Sequence, residues 1–295
     1  MPRIPASSEK ANTQSAYFQR TKSYEFAAHN LHSLYKNIPH LRFLWTGGVQ
    51  NNGGVVQAVN DASGNFPLSM NDELAALQPP YFTRLNHIFG SMLSAVDNAN
   101  WDVLGTEIYV ASGAAPLNVG RGITLGSWIY PLAAYAFGSD LITKWDVGTN
   151  NRSYMFGFLA NWVLDYQFSN NGIAVAANIW AANLLPITAW SFTLVSHSVT
   201  DNQIILYTGI LDTTVTPNIY RLYRTRGAAG GGVAIFNSTA SFMVGWATDF
   251  IAPLPNSYLF YPFMGACALR EPMIRQMFIT GLQALAPQYP YRFEF

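Results

Sequence analysis

The chain has 295 residues and carries 16 Lys plus Arg against 16 Asp plus Glu, so its formal net charge is zero and only 11% of its residues are charged. Without a long-range positive field, and with little counterion release to gain on phosphates, nucleic acid is excluded as an expected partner. Half of the residues (50%) are hydrophobic and 15% are aromatic, enough for a large core under a surface that is polar through amides and hydroxyls instead of charges.

A neutral, aromatic-rich surface costs little to desolvate, which suits a subunit buried against other proteins. The single cysteine, Cys267, excludes an internal disulfide and is expected as a small buried hydrophobe. Met1 to Lys10 contain no apolar run after the basic residue, so no secretory signal is expected and maturation is placed in a cytoplasm.

Residues 1–22 are polar and aperiodic. From Ser23 to Ile38 the apolar positions Tyr24, Ala27, Ala28, Leu31, Leu34, Tyr35 and Ile38 recur at helical spacing, and Pro39 stops the helix. Residues 1–40 thus read as an arm whose stripe must pack on the main domain or on a partner. Tyr24, Leu31, Leu34, Tyr35 and Ile38 are its candidate assembly contacts.

Beyond Leu41 the texture changes to short apolar runs broken by Gly, Asn, Asp and Pro. Strands are expected at Leu41–Thr46, Gly122–Tyr130, Leu141–Trp145, Tyr154–Asn161, Val163–Phe168, Ile173–Ile179, Ile219–Thr225, Val233–Asn237 and Phe242–Trp246. The clearest hairpin joins Ser191–Val199 to Gln203–Tyr207 through Thr200-Asp201-Asn202. Two long uncharged stretches, Gly122–Ser139 and Tyr166–Thr200, are too interrupted by proline, glycine and asparagine to cross a bilayer as helices, so membrane insertion is not expected. Glu271 and Pro272 open a helix that Gly281 is expected to close, and residues 286–295 form a tail.

Many short strands at this spacing make the fold class all-β, an antiparallel jelly-roll β-sandwich over residues 41–285. The order of the pieces resembles the laminin G-like, or concanavalin A-like, domain superfamily. Asp61-Ala62-Ser63-Gly64 and Pro80-Tyr81-Phe82 come first, then Ile123-Thr124-Leu125-Gly126-Ser127-Trp128 and Leu141-Ile142-Thr143-Lys144-Trp145 with Arg152-Ser153-Tyr154. Trp190–Val195 and Ile204–Gly209 follow as the most recognisable hairpin, and Ala268-Leu269 precede the last helix. Independently of that resemblance, Trp128, Trp145 and Trp190 would each bring a large buried area to a core between two sheets. Thr208 stands where relatives often carry Asn or Asp, so a calcium or sugar site of the superfamily type does not carry over.

Glycosidases on such a fold need paired carboxylates on one strand, and no Glu-x-Asp-x-Glu run occurs; the nearest candidates, Asp72-Glu73 and Glu107, read as caps or solvated side chains. Glu25, His29 and His32 share helical spacing that could hold a metal, but a polar helix stripe is the preferred reading, and no cofactor is expected. Arg221, Arg224 and Arg226 form the one basic patch, either a partner contact or a strand face balanced by local carboxylates. Tyr130, Tyr135 and Trp180 are candidates for stacking on sugar rings.

The expected function is therefore non-enzymatic: a structural subunit of a virus particle, of the tailed-bacteriophage type, on the head surface or the tail. It would assemble through the arm with copies of itself and other virion proteins in the host cytoplasm. The alternative is an adhesin that binds glycans of a host surface.

Overall fold

The computed structural model describes residues 30–52, 55–61, 63, 67–71, 82–84, 91–94, 107–110, 119–136, 138–228, 230–245 and 257–295. In chain order the strands are β1 (Leu41–Asn52), β2 (Val55–Asp61), β3 (Pro67–Asn71), β4 (Phe82–Arg84), β5 (Ser91–Ser94), β6 (Glu107–Val110), β7 (Gly122–Pro131), β8 (Ser139–Lys144) and β9 (Tyr154–Leu159). They continue as β10 (Val163–Ser169), β11 (Val175–Leu184), β12 (Ser191–Ser198), β13 (Gln203–Asp212), β14 (Ile219–Ala228), β15 (Phe242–Val244), β16 (Ser257–Gly265) and β17 (Tyr291–Glu294). Residues 30–36 form helix α1 and Glu271–Leu285 helix α2. No helix among the described residues is long and apolar enough to cross a membrane.

The chain is an all-β sandwich. One sheet runs β17-β14-β13-β12-β7-β16, and the far side of β16 is shared by β5 and the start of β1. The other runs β1-β2-β3-β6-β15-β8-β9-β10-β11. Strand β1 belongs to both, because Leu41–Leu44 pair with β16 and Trp45–Asn52 with β2. Both uncharged stretches that invited a membrane test contain strands of this sandwich.

Alternation sorts the side chains into two cores. Between the sheets lie Leu125, Val195, Ile204 and Leu206 from one side and Phe156, Leu164, Tyr166 and Phe168 from the other. The outer face of the first sheet presents Trp128, Phe192, Leu194 and Leu222, and these are covered by Leu31, Tyr35 and Ile38 from α1 and its exit and by Ile274, Met277, Phe278 and Leu282 of α2. A sheet covered on both faces has no polar side, so β7 and β12 are buried almost end to end.

Four expectations are corrected. Trp128 and Trp190 lie in the helix-covered core, not between the sheets. Gly281 does not end α2, which continues to Leu285; the glycine instead leaves room for the Trp128 indole. Val233–Asn237 form no strand; Phe236 N–H donates to Ser169 O and Ser153 Oγ to Phe236 O, so the segment is held by isolated bonds. The described part of the arm turns inward: Leu31, Tyr35 and Ile38 are 0%, 0% and 3% exposed on their own domain, with the Tyr35 ring edge-on to Tyr261 and Phe263. Apolar burial on the chain's own sheet takes these side chains out of reach of a partner, and Leu34 is only partly buried there. Tyr24 lies outside the described residues.

The segment after α2 joins the sheet as β17, parallel to β14. Cys267 is half-buried, with Sγ 3.1 Å from Pro39 O, and burial raises its thiol pKa.

Candidate functional site

Strands β10 and β11 alternate through their central residues. Leu164, Tyr166, Phe168, Ile179 and Ala181 enter the core, so the intervening residues Asp165, Gln167, Asn178 and Trp180 share the outer face. The register sets Asp165 opposite Trp180 and Gln167 opposite Asn178. Trp180 is 56% exposed, and Asn178 beside it is exposed too. Gln167 Nε2 donates to Asp165 Oδ2 at 3.0 Å, which holds that amide toward the tryptophan row. An indole face flanked by amides can stack on the apolar face of a pyranose while donating to and accepting from its hydroxyls.

The other two stacking candidates do not join this surface. Tyr130 is half-buried, edge-on to Trp190 with centroids 5.4 Å apart. Tyr135 is half-buried beside Trp162 at 6.4 Å. Both rings are used in packing.

A relationship with no local signal in the sequence lies one strand away. Asp140 of β8 and Asp165 of β10 both register on Gly157 of β9, so their carboxyl groups flank a residue without a side chain. Each is 4% exposed, and Asp140 Oδ2 and Asp165 Oδ1 have no hydrogen-bond partner among the described residues. Burial, then the nearby Asp165 charge, pushes Asp140 up to about 7. Burial likewise raises Asp165 to about 6, opposed by its bonds from Gln167 and the backbone. Between the sheets, His197 shares a 3.0 Å hydrogen bond between Nδ1 and the Tyr166 hydroxyl, and burial lowers it to about 4. Lys144 is buried with Nζ donating to Ser238 O and Ala240 O at 2.6 and 2.8 Å, and burial lowers it to about 8.

The basic patch resolves unevenly. Arg221 pairs with Asp212 at 2.7 Å and with Glu294, and Arg224 pairs with Glu271 and lies over the Phe295 ring. These two are strand-face cations balanced by local carboxylates. Arg226 is exposed and forms no ion pair with a described residue. Of the metal candidates, Glu25 and His29 lie outside the described residues, and His32 sits edge-on to Tyr261. No group of three His, Cys, Asp or Glu that could hold a metal occurs among the described residues. Asp72 and Glu73 are outside them as well.

The fold is shared with known binding domains. The binding domain of botulinum neurotoxin DC, solved in complex with SialylT, aligns over 84% of this chain and 52% of its own with a TM-score of 0.50 at 12% identity. The binding domain of botulinum neurotoxin serotype D aligns over 86% of this chain and 52% of its own, with a TM-score of 0.53 at 10% identity. Domain 4 of AbnA, a GH43 extracellular arabinanase from Geobacillus stearothermophilus, solved with arabinotriose, aligns over 82% of this chain and 99% of its own, with a TM-score of 0.50 at 12% identity. This chain spans about half the length of the neurotoxin binding domains. No protein-family model matches the chain, and neither does any curated protein.

Proposed function

We propose that this chain is a glycan-binding module of the laminin G-like kind that recognises carbohydrate on a host surface without turning it over. The observation that carries the reading is Trp180, 56% exposed on the sheet face with the amides of Asn178 and Gln167 alongside. Exposing that much indole costs hydrophobic free energy in the free chain, and a stacked sugar recovers it while the amides meet the hydroxyls. Sandwich domains of similar fold solved with SialylT and with arabinotriose support the ligand class.

The test is a glycan array followed by calorimetry on the best sugar, with wild type and Trp180→Ala compared. Binding by the wild type that falls at least tenfold in the variant supports the reading. An array at background, or equal binding by both proteins, overturns it.

A second reading, a subunit of a larger assembly such as a virus particle, is favoured by a different observation. Among the described residues strand β11 pairs only with β10, and its ten residues include no charge and no proline and expose Val175, Trp180 and Leu184. Edges are ordinarily guarded by such residues, and a two-fold pairing of this strand with its own copy would meet no like charge. Light scattering across a concentration series tests it: assembly by the wild type that Leu184→Lys abolishes supports the reading, and a monomer throughout overturns it.

A further inference from the structure

On the outer face of the first sheet, away from Trp180, the segment Ala266–Leu269 and the start of α2 enclose an open cleft of about 610 Å³. Its wall is pinned by hydroxyls: Thr124 Oγ1 donates to Cys267 O at 2.7 Å and accepts from Leu269 N–H at 3.0 Å, while Ser196 Oγ donates to Leu269 O at 3.0 Å. Gly122 makes room for this segment, since a Cβ there would press on Ala268 N and His197 O.

Three arginines line the cleft, Arg121, Arg226 and Arg270, all exposed and none in an ion pair with a described residue. Two acids line it with them. Glu271 is already committed to Arg224 and Arg275, and Asp201 Oδ2 accepts from Ser198 Oγ at 2.7 Å. In a chain of zero net charge, this is a local excess of free guanidinium groups around a concave space. Thr200 and Gln203 add neutral donors and acceptors to the lining. With Glu271 taken up by Arg224 and Arg275, Asp201 is the one uncommitted acid of the lining beside three arginines, and an anion entering the cleft balances the positive excess that is left. A planar guanidinium fork matches a carboxylate or sulfate in two parallel hydrogen bonds, while the amide and hydroxyl groups suit sugar hydroxyls.

We propose that this cleft binds the acidic group of a charged sugar, a carboxylate or a sulfate, with Arg121, Arg226 and Arg270 as its ligands. The choice of a sugar rests on the glycan-binding reading above; the choice of an acidic one rests on the arginines alone. The cleft and Trp180 lie on different sheets, so the two sites can be tested separately.

The experiment is calorimetric titration of the full chain with sialyllactose, a sulfated heparin disaccharide, lactose and inorganic phosphate. The variants are Arg226→Ala, Arg121→Ala and, as a control, Arg292→Ala, an exposed arginine outside the cleft; melting curves establish that each is folded. Sialyllactose or the heparin disaccharide should bind at least tenfold tighter than lactose, weaken at least fivefold in Arg226→Ala and Arg121→Ala but not in Arg292→Ala, and weaken as salt rises. Equal affinity for acidic and neutral sugars, or no loss in the cleft variants, overturns the acidic site while leaving a Trp180-dependent glycan module standing. Phosphate binding as tight as that of either acidic sugar reduces the cleft to a free-anion site and overturns the proposal. Loss of neutral-sugar binding in Trp180→Ala tests the glycan module alone.

Discussion

Gly281, in the fourth turn of α2, lies against the indole of Trp128: a Cβ on it would overlap ring atoms Cζ2, Cε2 and Nε1. Trp128 is fully buried and stacks on Phe278 of the same helix with ring planes 4° apart, so it has no free direction in which to move. Gly281→Ala should therefore destabilise the protein by about 1–3 kcal/mol through overpacking. On an exposed helix the same change stabilises by roughly 1 kcal/mol, so the sign decides between contact and capping. Urea unfolding of the two proteins measures it.

Asp140 is predicted to weaken the fold at neutral pH. Its folded pKa is about 7 against an ordinary value of 3.8, so the protonated form is the one the fold favours. Its contribution is fully present below pH 3.8 and is lost as the pH rises to about 7. Asp140→Asn mimics the protonated acid and should be more stable than the parent by about 2–4 kcal/mol at pH 8, with the gap closing toward pH 4. Denaturant midpoints at both pH values check this, and a pH-independent gap rules it out.

His197 acts in the opposite sense. It is neutral in the fold, with a pKa of about 4 against 6.5, so its contribution is present above pH 6.5 and is lost as the pH falls to about 4. His197→Gln should be less stable than the parent at pH 7.5, and the difference should shrink by about 2–3 kcal/mol by pH 4. Asp165, raised to about 6, adds to the Asp140 slope, so between pH 4.5 and 6 the parent loses stability as the pH rises, the two aspartates outweighing the histidine. Only the variant differences separate them.

Trp180→Ala should leave the melting temperature within about 2 °C of the parent, since a mostly exposed side chain contributes little to stability. Any loss of sugar binding in that variant then reports on the surface and not on the fold. A large fall in melting temperature would mean that Trp180 is a packing residue.

Much of the sandwich was legible in the sequence, because alternation and turn chemistry are local. The hairpin of β12 and β13 turns at Asp201 and Asn202, with Ser198 Oγ bonded to Asp201 and Asn202 at a positive φ of 49°. Trp180 could be singled out as a sugar platform from residue type alone, but so could Tyr130 and Tyr135, and nothing local separates an exposed ring from a packed one. The Asp140–Asp165 pair had no signal, since its members come from strands related only through Gly157.

By itself the sequence determined the all-β class, the neutral surface and the helical stripe at Leu31, Leu34, Tyr35 and Ile38, because period and composition act between near neighbours. Only the tertiary structure decided which surface each stripe meets. The buried part of the arm covers Phe263 and Trp128 of its own sheet, Arg221 and Arg224 find carboxylates from distant segments, and Arg226 is left at the cleft. Those outcomes depend on strands that register across the sandwich, and register is set by the packing of whole faces.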